Sequence, residues 1–235
     1  MALACSLLAL PAGFAAAPAA NGSWSLIEET FSYPDGLLTD VSGTAWRRQL
    51  GNVSITVESQ VAIVGPGDGS EGYVTTRFAA LGLKENLIAV EARFSLRLCG
   101  VPVSGTLERG ALGTVLQFTS GDGKQRRGRL FFRTLLDGTY QLGSSGKTTG
   151  ATVWSSRTFA ADTTYAVVLV YEITTGQTRL WIDPDQNGQL GSPVLESINP
   201  NLTSPERVSL QVSAQMGPHR LRIDDLVVQP FGEIK

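Results

Sequence analysis

The stretch "LIAVEARFSLRLCG", residues 87–100, decides the fold. In it Ala92, Phe94, Leu96 and Leu98 alternate with Glu91, Arg93, Ser95 and Arg97. Side chains of an extended strand point to opposite faces in turn, so this period of two sorts apolar from polar residues. A helix would mix them around its circumference. The alternation predicts a strand with one face in a core and the other toward water or a ligand, as a two-sheet sandwich requires. Cys99 is expected on the core side with Phe94, Leu96 and Leu98, as an unreactive small hydrophobe.

The same alternation recurs on both sides. In "VSITVES" (53–59), Val53, Ile55 and Val57 oppose Ser54, Thr56 and Glu58. In "ERVSLQVSAQ" (206–215), Val208, Leu210 and Val212 point inward and Ser209, Gln211 and Ser213 outward. "TYAVVLVYEI" and "QTRLWID" flank "TTG" (174–176) and predict a hairpin. Val168 and Val170 are expected to be buried, although both faces of their strand are apolar. About a dozen strand-like runs follow one another between Gly-rich turns. The one helical candidate, "ALGLKENL" (80–87), is long enough for a turn. A chain of 235 residues with no linker or repeat then fits an all-β, two-sheet antiparallel sandwich without a metal or disulfide to hold it.

Residues 1–19 read as a signal peptide: a short apolar run ending in small residues, although no Lys or Arg precedes it. The run is too short to span a bilayer. The expected mature chain, residues 20–235, is one domain and keeps a single cysteine, which excludes an internal disulfide. The expected location is secreted, periplasmic or on the cell surface, in a bacterium. The net charge of −2 offers no overall field for nucleic acid or an anionic membrane.

Three segments resemble a known family. "TTYAVVLVYEITTGQTRLWIDPDQNGQLGSP" (163–193) is similar to the strand, tight turn and Trp-bearing return strand of laminin-G-like and concanavalin A-like domains. "LRIDDLVV" (221–228) resembles their closing strand. "EETFSYPDGLLTDVSGTAW" (28–46) resembles the opening of exported bacterial jelly-roll proteins. The resemblance implies a concanavalin A-like jelly roll in which Trp181, Tyr171 and the pair Asp224–Asp225 are structural. It does not define a function, because this fold carries lectins, lyases, hydrolases and adhesion modules.

No catalytic residue is assigned. Retaining glycosidases of the fold place an acid triplet E-x-D-x-E on one strand, so that two carboxyls face each other about 5–5.5 Å apart. Here Glu91 is followed by Arg93 and Ser95 instead. The Q-I/V-H strand of similar lyases is also absent. The single histidine, His219, stands beside a Gly-Pro turn and is expected at the surface. "DPDQNG" (183–188) matches the first half of a calcium loop, with Asp183, Asp185 and Asn187 as hard oxygen donors. The twelfth position is Val194 rather than Glu, so calcium would bind weakly, and Asp, Asn and Gly also form turns unaided. "KQRRGR" (124–129) reads as a solvated basic hairpin tip.

The remaining candidates are polar residues on strand faces. Glu91, Arg93, Arg97 and Gln211, with Ser209, Ser213 and Arg133, are expected to line the concave sheet, and Trp154 or Tyr140 to supply an aromatic platform. The expectation is a non-catalytic module that needs no cofactor and binds an extracellular polysaccharide or cell-surface glycan. The alternatives are a polysaccharide-cleaving enzyme of the same fold and a structural envelope protein. Carboxylates clustered on the concave face would favour the enzyme; a groove with aromatics would favour the binding module.

Overall fold

The structure, a computed structural model, describes residues 25–51, 55–65, 71–77, 88–99, 112–145, 152–183, 190–198 and 204–231. The expected signal peptide and the helical candidate at 80–87 lie outside them. Within them two antiparallel sheets face each other. The first runs in spatial order β15 (Leu195–Ile198), β14 (Gln177–Ile182), β13 (Thr164–Glu172), β7 (Ala89–Cys99), β17 (Arg220–Pro230), β5 (Val61–Val64), β4 (Ile55–Glu58) and β2 (Gly36–Leu37), with β1 (Ile27–Glu29) also on β17. The second runs β11 (Val153–Trp154), β10 (Thr139–Ser145), β9 (Arg126–Thr134), β8 (Leu112–Thr119), β16 (Arg207–Val212), β6 (Gly72–Arg77) and β3 (Arg47–Leu50), with β12 (Phe159–Ala160) on β10. Neighbours in both sheets are mostly distant in sequence, which makes this a jelly-roll sandwich of the concanavalin A-like kind. Among the described residues no helix is long and apolar enough to cross a membrane.

The opening stretch behaves as its alternation requires. β7 lies at the centre of the first sheet, paired with β13 from Ala89 to Arg97 and with β17 on its other edge. Val90, Ala92, Phe94, Leu96 and Leu98 enter one core with Leu116, Phe118, Leu130, Phe132 and Leu210 of the second sheet. Full burial of each such side chain is worth about 1.5–3 kcal/mol. The predicted hairpin joins β13 to β14, closed by the Gly176 amide donating to the Glu172 carbonyl at 2.8 Å.

Val168 and Val170 are buried as expected, on the far side of their sheet, while the expectations for the side of Cys99 and for His219 need correction. Val167, Leu169 and Tyr171 fill the main core, while Val168 and Val170 join Ala89 and Trp181 in a second cluster under Leu190 and Phe231. The Trp181 indole donates to the Gly191 carbonyl at 2.7 Å and packs on Phe231, which closes that outer face. Cys99 is buried, but parity sets it opposite Leu98, outside both clusters. His219 is buried, not at the surface. A single 3-10 turn, Ala214–Met216, folds back so that Met216 joins the core and the imidazole meets the Phe132 ring edge-on at 6.4 Å.

The conspicuous aromatics of the opening segment have a common partner. The Glu29 carboxylate accepts from the Phe31 amide (2.7 Å), the Tyr33 hydroxyl (2.9 Å) and the Trp46 indole (2.8 Å). Burial, and then Glu29, push the Tyr33 phenol up to about 12. Trp181, Tyr171 and Trp46 are all buried, in keeping with structural roles.

Candidate functional site

The five residues expected to form one binding face lie on two. Glu91, Arg93 and Arg97 belong to β7 and point away from the core on the outer side of the first sheet. Gln211 (β16) and Trp154 (β11) are on the outer side of the second sheet, with Ser209 and Arg133. Each face obeys its strand's alternation; what the alternation leaves open is which strands share a sheet.

On the first sheet the charges are matched to one another. Glu91 is almost fully buried, accepts from Arg93 Nε at 2.8 Å and is also held by the Gln229 amide. Arg97 faces Asp162 at 3.5 Å, and Arg179 faces Glu172 at 3.0 Å. These are internal ion pairs beside an apolar cluster.

The second sheet differs. Its strands carry eight arginines and neither Asp nor Glu, whereas the strands of the first carry five arginines and eight carboxylates. Three of the eight arginines come from the segment expected to be a solvated tip, 124–129. The turn in fact occupies residues 120–125, and Arg126, Arg127, Arg129 and Arg133 all lie in β9. Arg127 and Arg129 are buried. Gly128, with φ of 48°, disguises the strand as a turn; a Cβ there would come within 2.8 Å of the Phe118 ring. The sequence does hold a signal, since Arg129, Phe131 and Arg133 alternate with Leu130 and Phe132.

A cleft of about 240 Å³ opens on this face between Glu71, Thr114, Arg129, Phe131, Gln211 and Ser213. Gln211 Nε2 donates to Glu71 Oε1 at 2.6 Å, and Arg126 approaches the same oxygen at 3.4 Å. Arg129 lies over the Phe131 ring at 4.5 Å and donates to the Thr114 hydroxyl at 3.2 Å. Burial, then the neighbouring Arg126, lower the Arg129 guanidinium to about 10, so it stays charged at neutral pH. Among the described residues Arg129 Nε, Gln211 Oε1 and both amide atoms of buried Gln117 on the adjacent strand have no hydrogen-bond partner.

Toward the sheet edge, Arg133 donates through Nε and Nη2 to Gln141 Oε1, at 2.9 and 2.6 Å, and its guanidinium lies 4.4 Å from the Trp154 ring centre. The indole rests on Gly143, where a Cβ would come within 2.5 Å of it. The platform expected from Trp154 is therefore a stacked indole–guanidinium pair. Tyr140 supplies none: it points into the core, and burial raises its phenol.

Of the calcium candidates, Asp185 and Asn187 lie outside the described residues. Asp183 is engaged by protein: Oδ1 accepts from the Ala166 amide at 3.0 Å, and Oδ2 faces Arg157 at 3.7 Å. No group of three metal-ligating side chains occurs among the described residues.

The chain matches no protein-family model, and no curated protein matches it. Solved structures do resemble it. A sialidase aligns at a TM-score of 0.53 and 14% identity over 86% of this chain, which corresponds to 19% of the sialidase, about a fifth of its length. A carbohydrate esterase of the Shiga toxin-encoding bacteriophage phi24B aligns at 0.53 and 13% identity, over 90% of this chain and 100% of its own. At these identities the likeness is one of fold.

Proposed function

We propose that this domain is a glycan-binding module whose site is the outer face of the second sheet. One observation carries the proposal: a solvent-facing cleft built from buried polar side chains, with partnerless amide and guanidinium atoms, beside a stacked Trp154–Arg133 pair. Sugar hydroxyls both donate and accept, so planar amides and guanidinia with spare capacity suit them. Both fold neighbours bear names of carbohydrate-acting proteins, which supports the glycan class at that coarse level.

Binding without cleavage is part of the proposal. Glycoside hydrolysis needs two facing carboxyls. Among the described residues the cleft has one, Glu71, already held by Gln211 and Arg126. Acyl transfer by a Ser-His pair needs an accessible imidazole, and the only histidine is buried. We also propose that the protein is exported from a bacterium and that residues 183–187 bind calcium weakly. Millimolar calcium should raise the Tm slightly, and Asp185→Ala should remove the rise; an unchanged wild-type Tm makes the loop a turn.

A glycan array probed with the full chain tests the site. Gln211→Ala and Trp154→Ala should each weaken whatever binding is seen, and Glu91→Gln should not. Release of reducing ends, or binding lost with Glu91→Gln and kept in the other two, would reject this face.

A further inference from the structure

Resting on the glycan-binding reading, we propose that the ligand is an acidic polysaccharide, whose carboxylate or sulfate groups pair with the arginine row of β9. The charge distribution carries this. On the first sheet Arg93, Arg97 and Arg179 each have a carboxylate partner. On the second, Arg126 approaches Glu71 at 3.4 Å, but Arg129 donates to a threonine hydroxyl, Arg133 to a glutamine oxygen, and Arg207 to Gln49 and Thr75, all neutral. Arg207 has Arg77 and Arg47 near it as well as Glu206. Burying a guanidinium with no carboxylate hydrogen-bonded to it is costly, and an anion in the cleft would reduce that cost through charge-assisted, bidentate bonds.

The spacing argues for a polymer. Arg129 and Arg133 share the outer face of β9, and four residues of strand cover about 13 Å. A small anion would occupy one of these two guanidinia and leave the other to its neutral partners. The unpartnered atoms argue for a sugar over a nucleic acid. Gln211 Oε1, which lines the cleft, is a buried acceptor that needs a donor. Sugar hydroxyls donate, whereas phosphates only accept. The aromatic rings that would stack bases are already capped, Phe131 by Arg129 and Trp154 by Arg133.

Equilibrium binding of the full chain to matched pairs tests the inference: polygalacturonate against its methyl ester, and dextran sulfate against dextran, with single-stranded DNA alongside. At least one acidic member should bind, and its neutral partner should bind at least about tenfold more weakly, the size of one charge-assisted hydrogen bond. Arg129→Gln, checked for an intact melting transition, should weaken acidic binding by about the same factor. If that variant does not fold, Arg133→Gln serves, its guanidinium being half-exposed. Glu71→Gln, which removes the one carboxylate of the cleft, should strengthen acidic binding. Equal binding of acidic and neutral members would overturn the inference and leave the glycan-binding reading standing. DNA bound as tightly as the acidic glycans would replace the inference with a general polyanion face. Failure to bind any glycan, charged or neutral, would overturn both.

Discussion

Asp224 illustrates what a single residue experiences in this sandwich. It sits where β17 shifts register between Asp224 and Val227, and Asp225 adopts φ of 51° to make the bulge. Burial, and then the adjacent Asp225 carboxylate, raise the Asp224 carboxyl above its ordinary range. The native state therefore holds that proton more tightly than the unfolded chain. Stability falls as pH rises from the unfolded value of about 3.9 through the raised native value, and stays lower above both. Asp224→Asn keeps an acceptor for the Asp225 amide, now 2.9 Å away, and removes the charge. Its Tm should exceed wild type at pH 7 and match it near pH ~2.5, below both values; thermal melts at the two pH values check this, and a lower Tm at pH 7 would contradict it. Cys99, buried on the outer side of β7, should resist a thiol reagent until denaturant is added. Labelling at the rate of a free thiol without denaturant would show that this end of β7 opens.

Individual elements store their determinants at turns and close approaches. The β4–β5 hairpin turns on Ser59 and Gln60, both with positive φ, 53° and 62°. That is the two-residue turn whose twist suits a hairpin and which favours Asn-Gly. A non-glycine residue pays strain there, so Gln60→Gly should raise stability by about 0.5–1 kcal/mol, read as a higher urea midpoint. The β10–β11 pair depends on the opposite device, a missing side chain. Trp154 lies against Gly143, so Gly143→Ala should displace the indole, break its stacking with Arg133 and weaken glycan binding while the sandwich still melts cooperatively. Binding unchanged in Gly143→Ala would remove the Trp154–Arg133 pair from the site.

Across the whole molecule, the two outer faces have been given different work. One is closed by Trp181, Leu190 and Phe231 and pairs its charges internally. The other is polar, arginine-rich and open at the cleft. A net charge of −2 conceals this separation, because the positive strands of one sheet are offset by acids elsewhere. Ligand binding to the open face should therefore weaken steeply with added salt, since the local field, not the net charge, draws the anion. A salt-independent affinity would mean that the arginines do not meet the ligand's charge.

The period of two in residues 89–98 determined, from sequence, that this chain is a sandwich. It correctly turned Phe94, Leu96, Leu210 and Val212 inward, because alternation is a local property of an extended backbone. The "TTG" hairpin was equally local. Tertiary structure alone decided that Glu91 and Gln211 lie on opposite sides of the molecule, since sheet membership depends on pairings between strands over a hundred residues apart. It alone decided that Val168 is covered from outside by Trp181, and that His219 is buried by a turn folding back onto Phe132. The outer arginines of β9 were written in the sequence as alternation through 129–133, but Gly128 gave the start of the strand the look of a turn. Only its neighbours in β8 and β10 show that those cations share a face without a carboxylate in its strands.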